Sequence, residues 1–96
     1  MATKKDYCDF ILEQIGDENI ACRPMMGEYL LYYQGVLFGG IYDNRLLVKK
    51  TIDNVQFNLP EAIPYPGAKP MYQIADIDDR ETMHGVIITT YNNLKK

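Results

Sequence analysis

Apolar residues recur at helical spacing near both ends of the chain. Within Lys5–Ile15 they fall at i, i+3, i+4 and i+7, so they lie on one stripe of an amphipathic helix. The same spacing continues to i+11 within Met83–Leu94. Asp78 and Glu81 have the spacing of a capping box and predict the start of this second helix. The pattern therefore predicts one helix at each end of the chain.

The middle of the chain is patterned as short strands separated by turn residues. Gln34-Gly35 and Asp43-Asn44 suit two-residue hairpin turns, because these residue types tolerate positive φ. The predicted strands are Ile20–Met26, Tyr29–Tyr33, Val36–Tyr42, Arg45–Lys50 and Met71–Ala75. This order predicts an antiparallel meander. With the two helices packed on that sheet, the fold class is α+β, a two-layer domain.

The stretch YLLYY at Tyr29–Tyr33 lacks the alternation of apolar and polar residues that a strand with one solvated face shows. If both turns contain two residues, Leu31 faces Phe38 across the hairpin. One sheet face would then pack the helices through Leu30, Tyr32, Leu37, Ile41, Leu46 and Val48. The opposite face would be an aromatic surface with a basic rim, and we predict an interaction face there, formed by Tyr29, Leu31, Tyr33, Phe38, Tyr42, Arg45 and Lys49.

The aromatic part of this predicted face would expose about 400 Å², near the upper size found on soluble monomers. We therefore expect something to cover it. The cover could be the proline-rich loop Leu59–Pro70, one helix on each sheet face, or a second copy of the protein. A ligand or a different protein partner is a further alternative.

Length, composition and net charge favour a small globular protein over a nucleic-acid-binding or membrane protein. Ninety-six residues with 47% hydrophobic and 24% charged residues predict one globular domain spanning residues 1–96. The net charge of −3 argues against a nucleic-acid-binding surface, which needs many Lys and Arg side chains on one face. No apolar run has the length of a membrane span or a signal peptide, so the expected location is the cytoplasm.

Residues that carry chemistry are sparse in this sequence. His84 is the single histidine, the chain has no serine, and Cys8 and Cys22 lack the spacing of a metal knuckle. The sequence therefore predicts no catalytic set, no metal and no cofactor. One alternative places a small-molecule pocket, or a cryptic enzyme site, between the sheet and the loop 60–70, where Tyr65 and Tyr72 could supply hydroxyl groups.

The run RPMMGEYLLYYQGVLFGGIYDNRLLVKK, residues 23–50, resembles the amino-terminal domain of the TfoX/Sxy family of bacterial competence regulators. The similarity rests on the turn at residues 25–28, the Leu-Tyr-x-x-Gly hairpin at residues 31–35, the strand at residues 36–38 and the strand at residues 46–49. Met26 and Glu28 stand where that family usually has Phe and Gly. The resemblance implies a stand-alone amino-terminal domain that acts as a non-enzymatic regulatory or interaction module. Such a module would work through a homodimer or another protein partner.

Overall fold

The computed structural model describes residues 3–95 and contains two α-helices and six β-strands. The elements are α1 (Lys5–Ile15), β1 (Ile20–Met25), β2 (Glu28–Tyr33), β3 (Val36–Tyr42), β4 (Arg45–Val48), a short 3-10 helix (Asn54–Phe57), β5 (Glu61–Ala62), β6 (Met71–Ile74) and α2 (Arg80–Leu94). The predicted α+β fold, with an amino-terminal and a carboxyl-terminal helix on an antiparallel sheet, is confirmed. Within residues 3–95, neither helix has the length and apolar character needed to cross a membrane.

All neighbouring strands are antiparallel, in the order β1-β2-β3-β4-β6-β5. The first four strands form the predicted meander. Gln34-Gly35 and Asp43-Asn44 adopt positive φ at both residues, as tight hairpin turns require, and Met26-Gly27 forms a third turn of this kind. The edge strand β5 was not predicted, because a two-residue strand carries no detectable alternation of apolar and polar positions.

A β-bulge in the β2–β3 hairpin changes which side chains share a face. Tyr33 pairs with Val36 as predicted, but Leu31 pairs with Gly39 instead of Phe38, since the register shifts between Leu31 and Tyr32. The extra residue in β3 is Phe38. Because the pairing slips by one position, Ile41 lies opposite Tyr29 and on the same face as Leu31.

The sheet face that carries Leu31 packs against both helices, and we call it the inner face. Side chains from α1, α2 and this face form one core, which consists of Cys8, Ile11, Ile15, Leu31, Tyr33, Phe38, Ile41, Leu46, Val48, Ile74, Met83, Val86 and Ile87. The predicted helix-packing face was therefore correct for Ile41, Leu46 and Val48. It was wrong for Leu30, Tyr32 and Leu37, which are half-buried and lie outside this core.

The predicted interaction face is divided by the same bulge. Leu31, Tyr33 and Phe38 are buried in the core, and Tyr29 packs against it. These four residues form no exposed patch in the folded chain, and that part of the prediction is wrong. The alternative of one helix on each sheet face is also wrong, since α1 and α2 both contribute to the same core.

Local signals at the helix ends account for the helix boundaries. Gly16 ends α1 in the left-handed conformation, and its N–H donates to the Leu12 carbonyl at 3.0 Å. Asp79 caps α2 by accepting a hydrogen bond from the Thr82 N–H at 3.2 Å. The Thr82 side chain and, to a smaller extent, this N–H lower the pKa of Asp79. The capping box predicted from Asp78 is thus shifted by one residue.

Candidate functional site

The sheet face opposite the helices, which we call the outer face, is partly covered by residues 63–70 of the proline-rich loop. Two outer-face residues show this cover, since Leu47 is 0% exposed and Tyr42 is 6% exposed although neither belongs to the helix-side core. The rings of Tyr42 and Tyr65 are 6.2 Å apart between centroids. The loop therefore covers part of the outer face, and it is one of the three covers left open by the sequence.

The amino-terminal part of the loop is attached to the sheet by two hydrogen bonds. The Pro60 carbonyl accepts from the Gln73 N–H at 2.8 Å, next to the pairing of β5 with β6. Arg45 donates from Nη2 to the Ile63 carbonyl at 3.1 Å and from Nε to the Tyr42 carbonyl at 3.2 Å. The guanidinium of Arg45 thus connects the β3–β4 turn to the loop, and it is not the free basic rim that the sequence predicted.

A groove of about 630 Å³ lies between the outer face and the loop. This volume is within the usual range of small-molecule sites in proteins. Eleven residues line the groove: Leu37, Gly39, Tyr42, Lys49, Lys50, Pro64, Tyr65, Ala68, Lys69, Pro70 and Met71. The structure thus brings Tyr42 and Lys49 of the predicted face together with residues from a loop that follows them in sequence.

A glycine positions the Tyr42 ring at the groove. A Cβ atom added to Gly40 would lie 2.7 Å from Cε2 of Tyr42 and 2.6 Å from the Tyr29 carbonyl oxygen. With hydrogen at that position, the Tyr42 ring can lie against the backbone of its own strand. Burial raises the pKa of the Tyr42 hydroxyl, and nearby Tyr65 contributes a smaller increase. The hydroxyl therefore stays protonated near neutral pH.

The groove is positively charged, although the whole chain has a net charge of −3. Three of its eleven lining residues are lysines, and none is Asp or Glu. Lys50 pairs with Glu61 at 2.7 Å between Nζ and Oε2 and lies 5.3 Å from the ring centroid of Tyr72. Among residues 3–95, no carboxylate lies within 4.0 Å of Lys49 or Lys69. Two lysine charges in this groove are thus without an ionic partner in the described part of the chain.

The sequence identified only part of this site. Tyr65 lines the groove as the pocket alternative predicted, whereas Tyr72 pairs with Val48 across the strands and does not line it. Lys69 was missed, although a lysine between two apolar residues in a proline-rich loop is a visible signal. Lys50 was missed because neighbouring strand residues point to opposite faces, so the sequence did not predict that both lysines line one groove.

Reactive side chains elsewhere in the chain are held in structural contacts. Burial raises the pKa of the Cys8 thiol to about 12, so the nucleophilic thiolate does not form near neutral pH. His84 contacts Asp17 at 2.8 Å between Nε2 and Oδ2, and together with the Asn19 N–H this holds the pKa of Asp17 at about 2. Within residues 3–95, no group of three or more His, Cys, Asp or Glu side chains could hold a metal ion.

A comparison with known proteins finds a relative of this chain. A Spirochaeta aurantia protein, an uncharacterized 12.7 kDa protein in the trpE 5' region, is 39% identical over 79 residues. The similarity covers 79% of this chain and 68% of the spirochaete protein. The chain belongs to the family of this spirochaete protein. No family model matches the chain.

Proposed function

We propose that the protein is a non-enzymatic binding module and that the groove between the outer face and the loop 63–70 is its binding site. The observation that carries this proposal is the groove itself, about 630 Å³ between a sheet and an ordered loop. Its walls combine apolar and aromatic side chains with a few polar groups, which is the usual composition of small-molecule sites.

The residues of the groove favour binding over catalysis. Its lining contains no His, Asp, Glu, Cys, Ser or Thr side chain. General acid–base catalysis and activated nucleophiles both require a titratable partner within hydrogen-bond distance. The lysines and tyrosines of this groove can donate hydrogen bonds and supply charge, but none has a neighbouring base in the lining that would activate it.

The biological setting is proposed from the sequence. The resemblance of residues 23–50 to the amino-terminal domain of the TfoX/Sxy family supports a bacterial regulatory role in the cytoplasm. In this role, occupation of the groove would report the concentration of a metabolite to a protein partner. The loop 63–70 is well suited to transmit such a signal, because it forms one wall of the groove and exposes Ile63 and Tyr65 by 52% and 54%.

A fragment screen by NMR tests the proposed site, and the 11.1 kDa mass suits the method. Fragments that are neutral, cationic and anionic should shift the backbone amides of residues 37–50 and 63–71. The variant Ala68→Trp should block the groove and abolish these shifts. The control Ala75→Trp changes an exposed alanine outside the lining and should leave them intact. A screen with no shifts at the groove, or shifts that survive in Ala68→Trp, would refute the assignment.

Self-association is a second candidate function, as the sequence predicted, but it would use other residues. Leu30 and Tyr32 are half-buried on the outer face and do not line the groove, and the Arg23 guanidinium lies 5.7 Å from the Tyr32 ring centroid. Light scattering on a sizing column, over a wide range of protein concentration, tests this candidate. A dimer that Tyr32→Asp dissociates would support it, and a strict monomer would eliminate it.

A further inference from the structure

We propose that the groove binds a small anion that carries a flat ring, with Lys49 and Lys69 holding the carboxylate or phosphate group and the Tyr42–Tyr65 pair contacting the ring. This inference rests on the proposed function, because it assigns a ligand class to the same groove. It follows from the charge, the aromatic wall and the size of the site.

The distribution of charge is the first argument. The chain has 13 acidic residues and 10 Lys or Arg residues, yet the groove contains three lysines and no acid. Uncompensated like charges around one concave surface repel one another and attract counter-ions, and low-dielectric walls strengthen this field. A neutral or cationic ligand would leave the repulsion between the lysines in place, whereas an anion would relieve it.

The three lysines differ in how free they are to bind. Lys50 is engaged on one side by Glu61 and lies above the ring of Tyr72. Lys49 and Lys69 are both exposed, and no carboxylate within residues 3–95 pairs with either of them. Lys49 directly follows β4, and Lys69 is in the loop that forms the opposite wall. One anion between the two walls would therefore be bound from both sides.

The aromatic pair supplies the second half of the recognition. The rings of Tyr42 and Tyr65 meet at 51° with centroids 6.2 Å apart, and Tyr65 is 54% exposed. An exposed aromatic ring beside apolar lining residues gains most from a flat, apolar group that stacks on it or packs edge to face. A ligand with a ring would bury the free surface of Tyr65 and leave its anionic group near the lysines.

The dimensions of the groove select a small molecule over a polymer. Its volume of about 630 Å³ fits a ligand of the size of a mononucleotide or an aromatic acid. Nucleic-acid duplexes are recognised over a broad basic surface, which a chain of net charge −3 does not offer. Carboxylate and phosphate ligands share the chemistry inferred here, and the experiment separates them.

The experiment compares ligands that are matched in shape and differ in charge. Adenosine 5'-monophosphate is titrated against adenosine, and 4-hydroxybenzoate against 4-hydroxybenzamide, with dissociation constants measured from NMR shifts of the groove amides. In at least one pair the anion should bind about tenfold more tightly than its neutral partner, as expected for two partly solvated ion pairs. The pair with the larger preference identifies phosphate or carboxylate as the preferred group.

Two double variants test which lysines are responsible. Lys49→Gln/Lys69→Gln should remove the preference for the anion, whereas Lys5→Gln/Lys95→Gln should preserve it. Each double variant lowers the net charge by two, and Lys5 and Lys95 lie outside the groove. Equal loss in both variants would indicate general electrostatics and would overturn the assignment of Lys49 and Lys69.

The outcomes separate this inference from the proposed function. If neutral and anionic ligands bind the groove equally and both lose binding in Ala68→Trp, the groove remains a binding site and the anion inference is overturned. If no probe in the fragment screen or in the matched pairs shifts the groove amides, both proposals are overturned. Anion preference that depends on Lys49 and Lys69, and is lost in Ala68→Trp, supports both.

Discussion

Asn54 provides a sharp test of how the structure holds the end of β4 against α2. Its side chain is 0% exposed and makes three hydrogen bonds. Oδ1 accepts from the Thr51 N–H at 2.9 Å, and Nδ2 donates to the Lys49 carbonyl at 2.8 Å and to Thr90 Oγ1 at 2.9 Å. The substitution Asn54→Ala removes all three bonds without introducing a steric clash.

The expected loss follows from these contacts. A typical intramolecular hydrogen bond contributes about 1 kcal/mol net, so three bonds amount to about 3 kcal/mol. Thr90 keeps its hydrogen bond to the Val86 carbonyl at 2.8 Å, so its hydroxyl is not left without a partner. The other two partners, the Thr51 N–H and the Lys49 carbonyl, are only partly buried, so water can form hydrogen bonds with them in the variant. For a domain whose free energy of unfolding is about 5–15 kcal/mol, the loss should lower the melting temperature by about 12–24 °C.

Urea denaturation followed by circular dichroism measures this change, with Gln56→Ala as the matched control. Gln56 carries the same amide group in the same 3-10 helix, but it is exposed and its Nε2 donates only to the Asp53 carbonyl at 2.8 Å. The control should change the free energy of unfolding by less than about 0.5 kcal/mol. A loss below about 1 kcal/mol in Asn54→Ala, or equal losses in both variants, would refute the reasoning.

Three further substitutions test the packing and the charges. Asp17→Asn should lower the free energy of unfolding at neutral pH by about 1–2 kcal/mol. This value is smaller than the pKa shift of Asp17 alone implies, because its partner His84 is 43% exposed and solvent screens the pair. The folded-state pKa of Asp17, about 2, lies below the ordinary value of 3.8, so Asp17 stabilises the fold fully above pH 3.8 and loses this effect as the pH falls through 2. A difference in free energy of unfolding between wild type and variant that is unchanged at pH 2 would contradict this. Gly39→Ala should lower the free energy of unfolding, measured by urea denaturation, by about 3 kcal/mol, because the new Cβ would overlap the Leu47 carbonyl oxygen of the adjacent strand. An unchanged free energy of unfolding would contradict this close packing of the two strands. Gly85→Ala should instead stabilise α2 by about 0.5–1 kcal/mol in the same assay, since outside the adjacent helix backbone nothing lies within 4 Å of the added Cβ. A destabilised Gly85→Ala variant would contradict this expectation.

Local signals predicted the secondary structure well, and the reason is that each signal acts over a few residues. The bounds of α1 agree with the sequence prediction at both ends, because the apolar stripe is regular and Gly16 ends it. Both predicted hairpin turns formed, because Asp, Asn and Gly tolerate positive φ, and Gln34 adopts it next to Gly35. The one-residue error at Asp79 reflects a choice between adjacent aspartates that have the same capping chemistry.

The assignment of sheet faces failed because it depends on register over the whole hairpin. A single extra residue, Phe38, moves the pairing by one and exchanges the faces of the residues beyond it. Gly39-Gly40 inside the strand is a local signal of a bulge or of close packing, but it does not decide between the two or say which residue is extra. Packing against both helices selects the bulged register, since it places Leu31, Phe38 and Ile41 in one core.

By itself, the sequence determined the α+β fold class, the positions of the helices and tight turns, and the need to cover a second apolar sheet face. All of these follow from local propensity and total composition. Only the tertiary structure decided which tyrosines are core, which cover lies on the outer face, and which lysines share a groove. Lys49 and Lys69 are separated by the 3-10 helix and β5, and the proline-rich loop brings them to one site. Contacts of this kind depend on chain topology and packing, which no short stretch of sequence contains.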